Sequence, residues 1–136
     1  MNTTYFKNLI MGNVFRTNTA TALPQSYYIG LSSTAPTAAG GNVSEPSTSG
    51  TAYQRVQLTS LTVPENGVIH NSEAITFPES TATWFSASDP ATYYVIYDAA
   101  SAGNLLMYNQ LTTSRVIETS TIATIKANSL YLQLTD

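Results

Sequence analysis

His70 is the only histidine in the chain, and there is no cysteine. Those two counts limit the chemistry at once. Thiol catalysis and thiolate metal sites are excluded, and one imidazole cannot build a transition-metal centre that wants several His or Cys ligands. A Ser-His-Asp mechanism needs the histidine between a serine and a carboxylate. His70 stands in VIHNSEA among apolar neighbours, and no Gly-x-Ser-x-Gly elbow is present. It reads as a strand-edge residue. Glu73 and Glu79 flank a short strand, and Asp89 and Asp98 stand at turns. No spacing singles out two of them as the acid and base of a glycosidase, and turn aspartates usually bond their own backbone. The segment DAASAGN (98–104) lacks the repeated acidic positions of a calcium loop. Gly40-Gly41 leads no helix, so it is not a phosphate loop. The expectation is no catalytic residue, no cofactor and no metal.

Composition points the same way. Charged residues make up 10% of the chain, against about 25% in an average domain. The five bases, Lys7, Arg16, Arg55, Arg115 and Lys126, form no run, and the net charge is -3. Nucleic acid is therefore not an expected partner, because no basic stripe is there to neutralise phosphates. Threonine and serine supply 36 residues. Threonine favours strands, because its branched Cβ suits the pleat, and hydroxyls keep a surface soluble without charge. The opening MNTTYFKNLIMGNVF is interrupted by Lys7, Asn8 and Asn13, so neither a signal peptide nor a membrane span is expected.

The elements that must carry these residues are legible in outline. Over 3–15, Phe6, Leu9, Ile10 and Val14 recur at helical spacing, and Asn2 or Thr3 could cap the start. A helix this short is marginal alone, so its apolar face must dock, on its own domain or on a partner. A polar connector follows at 16–26. SYYIGLS (26–32) alternates, and the residues 33–50 after it form a long loop rich in Gly, Pro and hydroxyls, expected to be exposed. Strand candidates continue at 51–61, at 68–78 with one or two short strands, at 81–87, at 93–98, at 104–111, weakly near Ile122 and Ile125, and at 129–136. In the last, Leu130, Leu132 and Leu134 should face inward and Tyr131, Gln133 and Thr135 outward. About eight short strands with turns between them predict an all-β fold, an antiparallel β-sandwich or jelly roll led by one helix. At 136 residues the chain suits a single domain, with 1–25 as helix and connector and 26–136 as the sandwich.

The hairpin YYVIYDAASAGNLLMYNQL (93–111) is apolar on both faces of its first strand, with Tyr93, Val95 and Tyr97 on one and Tyr94 and Ile96 on the other. Such a strand is covered twice. One cover is the facing sheet; the other would be the N-terminal helix or another subunit. Asp98 and Asn104 would shape the bend. Nine tyrosines and one tryptophan suit core or interface alike, and Trp84 reads as core. The candidate interface is Phe6, Leu9, Ile10, Val14, Tyr94, Ile96 and Tyr108.

Taken in order, YYIGLSSTAPTAAGGNVSEPSTSGTAYQRVQL, ITFPESTATW, the hairpin and the terminal SLYLQL resemble a family of small bacteriophage tail-fibre-like structural proteins. That family's pattern runs from a short amphipathic helix through "TAPT", a Gly-rich loop with "E…GYAR", "ITFP…A…W" and "FDA…GGNLLYYG.L". Here Ala102-Gly103 replaces Gly-Gly, and Gln54 stands where alanine is common. The resemblance implies a virion structural protein, assembled in the host cytoplasm, with a β-sandwich domain on the tail or baseplate. The helix that must dock and the strand covered on both faces add the expectation of a homotrimer, with other virion proteins of tail or capsid and a host cell-surface glycan as further expected partners. The alternative is a capsid decoration or head-fibre protein. A carbohydrate-degrading module is disfavoured, because the carboxylate pair is missing.

Overall fold

The computed structural model describes residues 1–16 and 21–134. Residues 17–20 of the connector, and Thr135 in the last strand, lie outside the described residues. The element order is α1 (Thr4–Phe15), β1 (Tyr28–Ser32), β2 (Val56–Gln57), β3 (Val68–His70), β4 (Ile75–Thr76), β5 (Ala91–Tyr97), β6 (Leu105–Arg115), β7 (Thr124–Ile125) and β8 (Tyr131–Gln133). Strands pair antiparallel throughout. One sheet has the order β2-β1-β5-β6, and two ribbons pair β3 with β8 and β4 with β7.

The central sheet is organised by β5, whose neighbours on both sides are the other two apolar strands. Ile29 of β1 lies opposite Ile96, and Met107 of β6 lies opposite Ile96 from the other side. Below the sheet, Ile29, Leu31 and Ile96 join Phe77, Trp84 and Leu130 in the main core. The ribbons close that core, with Ile75 opposite Ile125 and Ile69 opposite Leu132. Above the sheet, Val95, Tyr97, Leu105 and Tyr108 form a second, smaller cluster. The double burial of β5 is as its sequence requires.

Part of the second cover comes from the chain itself. Val43 of the 33–50 loop packs on the smaller cluster. That loop is not a free arm. Ser33 N–H donates to Ser44 O, Thr34 Oγ1 donates to Asn42 O at 2.6 Å, and Asn42 Nδ2 returns a bond to Ala35 O. Pro36 is buried, and Val43, Glu45 and Pro46 are half-buried. Hydroxyl and amide side chains satisfy the loop backbone internally, so it can lie flat on the sheet.

Thr3 caps α1: it is extended, and its Oγ1 accepts from Phe6 N–H at 3.2 Å. The same hydroxyl donates to Leu105 O at 2.7 Å. Thr3 N–H donates to Leu106 O, and Tyr108 N–H donates to Met1 O. The cap thus also stitches the helix entrance to the edge of β6. Strand 81–87 is not formed. Trp84 and Phe85 instead bond Ile117 by their backbones, and Trp84 Nε1 donates to Thr51 O at 2.7 Å, which fixes Trp84 in the core at 6% exposure. The 51–61 candidate shrinks to the two residues of β2, because Tyr53 and Arg55 turn into polar contacts described below. In and beside β8, Leu130 is buried and Leu132 half-buried, but Leu134, expected inward, is 63% exposed. The β3 partner ends at Val68, opposite Gln133, so no strand remains to cover it.

Candidate functional site

Two places on the molecule hold concentrated chemistry, and they differ in kind. The first is polar and closed. Gly30 sits mid-strand in β1, where a Cβ would stand 2.6 Å from Glu45 Oε2 and 2.7 Å from the Tyr53 hydroxyl. Glycine there leaves the space that a carboxylate from the loop and a phenol from the next segment occupy. Tyr53 donates to Glu45 Oε2 at 2.6 Å and accepts from Leu31 N–H at 3.1 Å. Arg55 grips the same carboxylate in a fork, with Nη2 at 2.7 Å from Oε1 and Nε at 3.1 Å from Oε2. Its Nη1 donates to Ala99 O and Ala102 O in the hairpin bend, at 2.9 and 2.8 Å. The guanidinium also stacks on Tyr97, 3.5 Å from the ring centroid.

Both charges are largely covered, with the Arg55 and Glu45 side chains 8% and 16% exposed. Bidentate geometry and filled hydrogen-bond positions are what make a covered pair tolerable. Burial first, and the Glu45 charge second, push the Tyr53 phenol well above its ordinary value, so it stays a neutral donor. Every group here is turned on another group of the chain. The cluster is a clamp: it ties the 33–50 loop, β1 and the hairpin bend together. The bend has its own lock, since Asn104 N–H and Nδ2 both donate to Asp98, at 2.7 and 3.0 Å. Gly103, at φ +75°, is required there, since a Cβ would meet Asp98 Oδ1 at 2.6 Å.

The second place is apolar and open. A groove of about 430 Å³ runs between Phe6 of α1 and the side chains of Leu58, Leu61, Ile69, Leu132 and Leu134. The outer side of α1 carries Met11, Val14 and Phe15, which are 57%, 65% and 72% exposed.

The sequence candidates distribute unevenly over these places. Leu9, Ile96 and Tyr108 are buried by the chain itself. Phe6, Ile10 and Tyr94 are half-buried, and Val14 stands on the outer stripe of the helix. His70 is half-buried on β3, its ring edge-to-face with Tyr131 at 4.5 Å. Glu73 accepts from Ser60 Oγ at 3.2 Å, and Glu79 is exposed. Among the described residues, no three of His, Asp and Glu are grouped to hold a metal ion.

The model of the family described as podophage GP4 fiber I protein gp80 matches residues 1–133. The chain belongs to this family. Membership makes it a phage fibre-type protein with a structural role in the virion. No curated protein matches the chain. The match spans the helix, the clamp and all eight strands.

Glu45, Tyr53 and Arg55 lie in the stretch that carried the family resemblance, yet as an interacting set they were not visible in the sequence. A signal existed. In a chain with so few charges, an arginine two residues after a buried-type aromatic, near a glutamate in a loop, is expensive unless paired. What could not be read was the third partner, the hairpin bend, 44 residues away from Arg55 at Ala99.

Proposed function

We propose that the chain is a non-enzymatic module of the fibre apparatus on the phage tail, serving in assembly and in attachment to the host surface. It acts as copies of itself, as a homotrimer, joined to other virion proteins. Membership of a phage fibre family is the observation that carries this reading. The division of the surface supports it. The loop side is pinned by the clamp and presents hydroxyls and amides, such as Ser44, Asn42 and Ser47, all exposed. Such a face suits repeated weak contact with a glycan, where many copies multiply affinity through effective concentration. The helix side presents apolar residues, which suits attachment to protein.

Antibody-gold electron microscopy of intact virions, with an antibody against this chain, tests the placement. Label at the tail is the expected result. Label over the head would overturn the tail reading in favour of capsid decoration. Glycan-array binding by the purified protein then tests attachment; binding lost when Asn42 and Ser44 are both changed to Ala is expected, and an array without signal would remove the receptor role.

A further inference from the structure

From the unfilled apolar surfaces of α1 and the groove, we infer that copies of this chain join head to tail: the Met11, Val14 and Phe15 stripe of one copy seats in the Leu61, Ile69, Leu132 and Leu134 groove of the next. The inference rests on the reading that the chain self-associates, and it names the joint.

Four observations point to a second copy as the occupant. The helix carries the polar residues Thr4, Lys7, Asn8 and Asn13, yet its C-terminal part leaves large apolar side chains open. Phe6, Leu9 and Ile10 face the chain, while Met11, Val14 and Phe15, at i, i+3 and i+4, form a continuous outer stripe. Large apolar side chains left open together on a folded chain mark a contact surface. The groove is the concave counterpart, walled almost wholly by aliphatic and aromatic side chains. Small-molecule sites of similar volume, about 300–1,000 Å³, carry several placed polar groups that orient the ligand, whereas here Tyr27 and Gln133 are the polar side chains of the lining. The charges at the two rims are opposite. Arg16 follows Phe15 at the helix end, and Glu65 lies between the groove residues Pro64 and Gly67; both are exposed. Among the described residues, Arg55–Glu45 is the one ion pair, so both rim charges are open to a neighbour.

Knob and groove are different patches, so the contact is heterologous. Such contacts close into rings when the rotation permits and otherwise propagate. A ring of three is the closure consistent with a homotrimer.

The test uses the full chain, Phe15→Asp as the knob variant and Leu134→Asp as the groove variant. Both positions are exposed, so the fold should survive, and circular dichroism checks that it has. Analytical ultracentrifugation is expected to give an oligomer for the wild type and a monomer for each variant. Mixing the two variants is expected to restore one joint per pair, because each supplies the part the other lacks, and so to yield a dimer. Arg16→Glu is expected to loosen the oligomer in low salt, and Glu65→Arg in the same chain to restore it. Oligomers of wild-type size from either variant would overturn this joint while leaving self-association standing. Monomers in the mixture would overturn the head-to-tail arrangement. A wild type that is monomeric at every concentration would overturn both the joint and the self-association it rests on.

Discussion

The two faces of this molecule handle exposed chemistry in opposite ways. On the loop side, a carboxylate, a guanidinium and a phenol are brought together and closed off, each bonded to another part of the same chain. On the helix side, an apolar stripe and an apolar groove are both left unfilled. The difference teaches where each kind of contact is completed. Polar groups that must be covered carry a heavy penalty when unpaired, so they are satisfied within the monomer. Apolar surface left open costs a folded monomer far less, so it can stay exposed.

The largest expected effect comes from breaking the closed side. Arg55→Ala leaves the Glu45 carboxylate covered without its cation and frees the hairpin bend. The loss should be about 3–5 kcal/mol, read as a lower midpoint in chemical denaturation. An unchanged midpoint would mean that the clamp does not hold the fold. Gly30→Ala is the next. The new methyl meets Glu45 Oε2 and the Tyr53 hydroxyl below 3 Å, and neither can swing away while Arg55 holds the carboxylate. Overpacking of this kind should cost about 1–3 kcal/mol.

Tyr53→Phe is gentler and carries a pH signature. It removes the hydroxyl shared by Glu45 and Leu31 N–H, at about 1 kcal/mol. In the unfolded chain Tyr53 loses its proton near its ordinary 10.0; in the folded chain burial and the Glu45 charge hold the proton to higher pH. The folded state then binds more protons than the unfolded state above that value. The stability from this group is therefore complete below pH 10.0 and is lost as pH rises beyond it. Alkaline denaturation of Tyr53→Phe should be shallower than that of the wild type. Tyr27, Tyr94 and Tyr97 are raised by burial too, so part of the slope will remain.

The smallest effect sharpens the comparison from the open side. Phe15→Asp should change the monomer's own stability by no more than about 0.5 kcal/mol, as for a surface position, whatever it does to assembly. A loss comparable to that of Arg55→Ala would mean that the helix end is part of the monomer's core.

Much of the fold was readable because its signals are local. Thr3 is the cap that the first turn requires, the two-faced run 93–97 became the doubly buried β5, and Asp98 and Asn104 do shape the bend between β5 and β6. The failures share a cause. Leu134 continues an alternation whose partner strand has ended. Residues 81–87 have strand composition, yet their backbone bonds go to Ile117, more than thirty residues away. The loop 33–50 reads as exposed from its prolines and hydroxyls, and most of it is; only the drawing down of Glu45 by Arg55 has no local signal.

By itself the sequence determined an all-β chain with one leading helix and a hairpin at its centre. These follow from composition and from periods of two and of three to four residues, which every short segment carries within itself. Only the tertiary structure decided which apolar residues were placed inside the monomer and which were left over, and that a carboxylate from the loop would meet a phenol and a guanidinium of the following segment at a glycine. Those outcomes depend on contacts between residues distant in the chain, and no local pattern encodes a partner that folding has yet to bring near.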